Sequence, residues 1–258
     1  MRHLPFYLLA ATALTGCDSY QDPAAPDPVP PGPTLFTAIG DSATVVSRVN
    51  EFRTALGGVA NGGTTPAQPS GRREIGWDGV PANLTNVDNF PAEFFNVNVK
   101  RGVVFTTNGT GFRVDSTDFA ATNAAFGAEF RFFSQKRTFM PVGSNRMDVH
   151  FQIVGLPVPG LVNGFGVAFS DVDRAGSTRL EYFDADGKLL AAVEAPARAG
   201  KRELAFVGAV FSSSIVARVR IVSGQAALGG TLNDVSAGGT ADLVIMDDFI
   251  LGEPQPLR

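Results

Sequence analysis

Cysteine and histidine are nearly missing from this chain, with one Cys and two His among 258 residues. A single Cys17 allows no disulfide within the chain, so an exported domain must rely on an ordinary hydrophobic core. His3 lies in the extreme N-terminal segment, which leaves His150 as the one imidazole of the main body. Zinc sites draw on several His or Cys ligands, and Ser–His–Asp or Cys–His catalysis needs an imidazole beside its nucleophile. One histidine, placed in Met147-Asp148-Val149-His150 on an alternating stretch, reads as a surface residue of a strand. Charge is scarce as well, at 18% of residues, against roughly a quarter in an average soluble protein. The net charge of −4 becomes −5 once Arg2 is set aside with the leader. No basic stripe remains to bind nucleic acid or acidic lipid. What is plentiful is glycine, with 29 residues, and phenylalanine, with 21. Few charges with many turn formers and aromatics suit an all-β protein.

The N-terminus carries an address. Arg2 and His3 precede the mostly apolar run Leu4–Leu14 and then small residues, the pattern of an export signal. The run is far below the ~20 residues that a bilayer-spanning helix needs. Leu14-Thr15-Gly16-Cys17 resembles the lipobox of bacterial lipoproteins. The resemblance implies a diacylglyceryl group on the Cys17 sulfur, cleavage before Cys17 and acylation of the new amine. The expected partner is therefore a membrane, held through acyl chains at about 0.8 kcal/mol per buried CH₂. The expected location is the cell envelope, facing the periplasm or the exterior. Asp18, directly after the cysteine, resembles the inner-membrane retention signal of enteric-type bacteria. From Asp18 to Pro33 six prolines rule out helix or sheet interior and predict a stiff polyproline-II-like spacer. The expected organisation is a signal peptide over 1–16, a lipidated Cys17 and tether over 17–33, a helical segment over 34–58, and a β-sandwich over 59–258.

In the segment 34–58, Asp41 or Ser42 caps a helix whose Val45, Val46, Val49, Phe52 and Leu56 share one face, and Gly57-Gly58 ends it. After a Gly/Thr/Pro loop between Asn61 and Gly71 the periodicity changes to two. Strands are predicted at Arg73–Trp77, Phe94–Val99, Gly102–Thr107, Ala128–Phe133, Met147–Val154, Gly164–Ser170, Arg179–Phe183, Leu189–Val193, Leu204–Val210, Ile215–Val222 and Leu243–Leu251. Asp186-Gly187 marks a hairpin turn. No βαβ rhythm is present. The predicted fold class is all-β: an antiparallel, jelly-roll-like β-sandwich with one N-terminal amphipathic helix.

Three segments carry a family resemblance: Gly71–Gly79 (GRREIGWDG), Gly164–Asp173 (GFGVAFSDVD) with Leu180–Gly187 (LEYFDADG), and Val244–Phe249 (VIMDDF). They resemble a group of exported bacterial domains carried by proteins with surface-sorting or anchoring signals, over roughly Val59 to Pro254. That resemblance brings no activity. More loosely, a final strand ending in paired Asp is similar to jelly-roll carbohydrate-binding modules, in which a carboxylate there helps hold structural calcium.

No residue set qualifies as catalytic. Ile39-Gly40-Asp41-Ser42 superficially resembles the nucleophile block of GDSL-type esterases, but His150 has neither their spacing nor their placement, and a helix cap accounts for Asp41 and Ser42. Carboxylate pairs occur at Glu74/Asp78, Asp171/Asp173, Asp184/Asp186 and Asp247/Asp248, yet none forms the three-acid strand motif of β-sandwich glycosidases. Calcium suits these hard oxygens better. Two candidate groups follow: Glu74 and Asp78 beside Asp247 or Asp248, if first and last strands adjoin, and Asp171 with Asp173. The competing account is turn chemistry. Trp77 and Tyr182 are candidates for sugar stacking, although core burial is the commoner fate of such aromatics. Arg72-Arg73 either recognise a ligand carboxylate or pair with Glu74 and Asp78, the latter preferred. The resulting expectation is a membrane-anchored, non-catalytic module that binds a glycan or another envelope component. A surface-adhesion domain and a carboxylate-based hydrolase are the alternatives.

Overall fold

A computed structural model describes residues 32–257. The signal peptide, Cys17, Asp18 and the tether as far as Pro31 lie outside the described residues. No helix among those described is long and apolar enough to cross a membrane.

The chain runs through β1 (Thr34–Gly40), α1 (Ser42–Ala55), β2 (Arg72–Ile75), α2 (Phe94–Val97), β3 (Val103–Thr107), β4 (Gly111–Asp115), α3 (Phe126–Glu129), β5 (Thr138–Val142), β6 (Arg146–Phe151), β7 (Gly160–Leu161), β8 (Gly164–Ser170), β9 (Arg179–Phe183), β10 (Leu189–Glu194), β11 (Leu204–Val210), β12 (Arg218–Val222), β13 (Ile245–Gly252) and β14 (Gln255–Pro256). A seven-stranded sheet is ordered β1-β11-β8-β13-β5-β4, with β2 also paired to β13. A five-stranded sheet is ordered β10-β9-β12-β6-β3. All pairings between these strands are antiparallel. The fold is an all-β sandwich.

Period-two alternation explains the five-stranded sheet directly. Met147, Val149 and Phe151 of β6 and Val219 and Ile221 of β12 turn inward, and the residues between them turn out. The main core lies between the sheets and is aromatic. Trp77 stacks on Phe139 at 4.0 Å with the rings nearly parallel, and meets Phe95 and Phe249 edge-on. Neither Trp77 nor Tyr182 offers a surface for sugar, because both are fully buried. Tyr182 instead donates its hydroxyl to the Phe165 carbonyl.

The outer face of the seven-stranded sheet is covered in part by α1. Asp41 caps this helix by accepting the Thr44 N–H at 2.9 Å, and Gly57 and Gly58 close it with positive φ. Val45, Val49, Phe52 and Leu56 form a second core with Phe36, Ala168, Leu204, Phe206 and Ile250. Val46, expected on that face, is exposed. The Phe52 ring sits over the cross-strand pair Gly166 and Gly208, where a methyl on either glycine would come within 2.9 Å of it. Every residue of β8 is buried, since the strand is covered on both faces.

Several expected elements differ. The segment 34–58 is not all helical: Thr34–Gly40 is an edge strand along β11, where alternation and pairing outweigh the nearby helical signal. Phe94–Val99 and Ala128–Phe133 are not strands: the first contains the short helical turn α2, and the second begins inside α3. Their aromatics reach the core from a turn, and Asn96 donates to the Gln152 side chain and the Leu156 carbonyl. Strands β4 and β5 were not anticipated, and Trp77 belongs to a 3₁₀ turn rather than to β2. The adjacency of β2 and β13 agrees with expectation.

The Arg72-Arg73 assignment is half corrected. Arg72 pairs with Glu74, but Arg73 pairs with Glu253 rather than with Asp78. Arg73 Nε and Nη2 donate to Glu253 at 2.6 and 2.7 Å. Its other donors reach the carbonyls of Gly62, Lys100 and Thr64, so this fully buried guanidinium is satisfied throughout.

Candidate functional site

The six acidic residues singled out in the sequence go to four different places. Glu74 is held by Arg53 and Arg72; burial raises its pKa, but these cations more than offset that and lower it. Asp78 is exposed on its 3₁₀ turn. Asp247 accepts the backbone N–H groups of Phe133 and Ser134, and the Ser134 hydroxyl contacts both Asp247 and Asp248. Burial, and then the adjacent Asp248, hold Asp247 well above the usual carboxylate range. Among the described residues these four, the first calcium candidate, are not drawn into one ligand set.

Asp171 and Asp173 do converge with other acids. Glu129 ends α3, Asp171 and Asp173 follow β8, and Asp234 and Asp242 come from the connection 223–244 between β12 and β13. Carboxylate oxygens of Glu129, Asp171 and Asp234 lie within 4.8 Å of one another, and so do those of Asp173, Asp234 and Asp242. Asp234 is common to both groups. All five residues are buried.

Local hydrogen bonds aim these side chains. Asp234 accepts the Ser236 N–H at 2.7 Å and the Leu243 N–H at 2.6 Å, one with each oxygen. Asp242 Oδ2 accepts from the Asp173 and Arg174 backbones and the Ser177 hydroxyl. Asp173 accepts the Gly200 N–H, and Asp171 Oδ1 the Arg202 N–H. Lys201 Nζ donates to Glu129 at 2.9 Å, and the Ser236 hydroxyl donates to the other Glu129 oxygen. Two oxygens, Asp171 Oδ2 and Asp242 Oδ1, are buried with no partner.

The electrostatic consequence is large. Burial, and then the negative charges of Asp234, Glu129 and Asp173, push Asp171 up to about 10. Burial also pushes Asp173 up to about 6, against the Gly200 hydrogen bond. Asp242 is raised by burial despite its three donors. A set of all-oxygen, hard, anionic ligands like this one can hold a divalent cation.

Sequence reasoning found two of the five. A signal for two others was present: in residues 223–244, Asp234 and Asp242 are the only charged residues. Glu129 left no such trace.

A second feature is the uncovered face of the five-stranded sheet. Thr106, Asp148, His150, Arg218, Arg220, Glu181 and Phe183 point outward from it. A cleft of about 530 Å³ opens there, walled by His150, Gln152, Thr106 and Arg218 and rimmed by the Asp184–Gly187 turn, Pro159 and Leu257. His150 is half-buried, with Nε2 2.9 Å from the Thr106 hydroxyl, and burial lowers its pKa. The Arg218 guanidinium lies 3.9 Å over the Phe183 ring, and both Arg218 and Arg220 pair with Asp148.

No family model matches the chain, and no curated protein matches it. Among solved structures it is similar to the enzymatically active domain of tailspike protein 4 of bacteriophage CBA120, at 13% identity and a TM-score of 0.28. The likeness covers 68% of this chain and 22% of that one, so the chain spans less than a quarter of that structure's length. Neither fold nor activity passes across at that TM-score. The non-catalytic expectation is nonetheless corrected: the matched domain is described as enzymatically active, and absence of catalysis is dropped from the functional reading.

Proposed function

We propose that this chain is a lipid-tethered extracytoplasmic protein whose β-sandwich binds a glycan or another hydroxylated envelope component on the open face of its five-stranded sheet. The observation that carries this reading is the His150–Arg218 cleft. Its size lies within the roughly 300–1,000 Å³ of small-ligand sites. Its walls place an imidazole, an amide, a hydroxyl and a guanidinium around one space, donors and acceptors suited to sugar hydroxyls. Among the described residues no aromatic ring is free to stack there, since Phe183 already faces Arg218. Recognition on this face is therefore by hydrogen bonding. The lipobox residues Leu14–Cys17 supply the tether in this reading.

The test is binding of the purified protein to a glycan array and to fractionated envelope polysaccharide. Arg218→Ala and His150→Ala are each expected to weaken binding by at least about tenfold, or ~1.4 kcal/mol. Binding that both variants retain would place the ligand elsewhere. No binding to any fraction would sink the reading. Globomycin-sensitive processing and loss of membrane association in Cys17→Ser test the tether separately.

A further inference from the structure

We propose that Glu129, Asp171, Asp173, Asp234 and Asp242 bind two calcium ions, with Asp234 bridging them. The argument starts from geometry. Oxygens around one calcium sit about 2.3–2.6 Å from it, so ligands of the same ion are at most roughly 5 Å apart. Two triads meet that condition, and they share Asp234.

The second observation is the pair of orphaned oxygens. Asp171 Oδ2 and Asp242 Oδ1 are buried and accept no hydrogen bond, and their residues fall one in each triad. A buried carboxylate oxygen without a donor is costly unless a cation takes the donor's place. Asp171 and Asp242 each satisfy one oxygen from a loop N–H or hydroxyl and leave the other bare. That division is what a monodentate metal ligand needs, with one oxygen for orientation and one for the ion.

Charge balance sets the number of ions. Once ionised, as cation ligands must be, the five carboxylates face one ammonium, that of Lys201 on Glu129, which leaves four negative charges. Two divalent cations neutralise them. Zinc is disfavoured because neither triad contains His or Cys. Magnesium prefers tighter octahedral shells and keeps several waters. Calcium tolerates the irregular geometry that three converging loops provide. The ions would join the end of α3, the turn after β8 and the connection 223–244, three segments already linked in part through these acids.

The inference does not depend on what the sheet face binds. The experiment is calorimetric titration of chelator-stripped, purified protein with calcium, alongside thermal unfolding. We expect two ions per chain and a rise in Tm on the order of 5 °C or more at saturating calcium. Asp171→Asn and Asp242→Asn should each leave one ion bound, and Asp234→Asn neither. Should the variants fail to fold, the wild-type stoichiometry decides alone. No uptake at millimolar calcium, a single ion in the wild type, or full uptake by Asp234→Asn would each overturn the proposal. Calcium uptake without glycan binding would leave it intact while refuting the sheet-face reading.

Discussion

All five N–H donors of Arg73 are spent inside the protein, two on Glu253 and three on loop carbonyls. Glu253 in turn accepts from Asn61 and from the Gln68 backbone. One ion pair therefore fastens the loop 57–71 to the end of β13. Removing one partner from a buried pair strands the other charge, which typically costs about 3–5 kcal/mol. Arg73→Ala should lose that much in urea denaturation, and the paired change Arg73→Met/Glu253→Leu should lose clearly less. A loss below about 1 kcal/mol for Arg73→Ala would show that the loop rearranges around the gap. The pair also marks the limit of sequence reading at this scale. Arg72, Arg73 and Glu74 are neighbours, so pairing among them was the economical guess, and only topology brings in an acid 180 positions away. The same limit applies to Glu129 with Asp234.

Elements were legible where pattern and burial agree. Strands β6, β8, β9, β11 and β12 alternate or run apolar, the helix α1 has its cap and its glycine stop, and all are present. Strands β4 and β5 were missed because Thr138–Pro141 is buried on every residue and Gly111–Asp115 mixes Arg113 and Asp115 into the run. Phe94–Val99 was overread because adjacent aromatics imitate a strand. The glycines of β8 and β11 have a purpose the sequence did not disclose. Phe52 reaches the sheet because Gly166 and Gly208 leave it room. Gly208→Ala should push the ring away and destabilise by roughly 1–3 kcal/mol, the usual range for overpacking. Combining it with Phe52→Leu should recover part of that loss in a double-mutant cycle. Strict additivity would mean that the two residues do not contact one another.

For the whole molecule, buried acids set the response to pH. Burial raises both Asp247 and Asp248 above the ordinary carboxylate value of 3.8. The folded state then binds more protons than the unfolded chain above that value. Their contribution to stability is thus greatest in acid, and is lost as pH rises through the raised values. Asp247→Asn imitates the protonated acid while keeping an oxygen for the Phe133 and Ser134 N–H groups. The variant should lose less stability than the wild type between pH 5 and pH 8, as followed by thermal unfolding in one buffer series. Parallel profiles would show that Asp247 does not titrate within that range. Fold class was readable at this scale and strand order was not, because alternation says which residues face inward but not which strands are neighbours.

Strand order also governs when the protein can form. Strand β13, the last long strand among the described residues, lies inside the seven-stranded sheet, paired with β8, β5 and β2. Until residue 252 is available, that sheet consists of three unjoined pieces, β1-β11-β8, β5-β4 and β2, whose apolar faces have little to close upon. Nearly all its contacts link distant parts of the chain, which makes closure slow, on the order of milliseconds to seconds. A chain still lacking β13 consequently has the partners of its larger sheet but not the strand that joins them, so that sheet completes late and all at once.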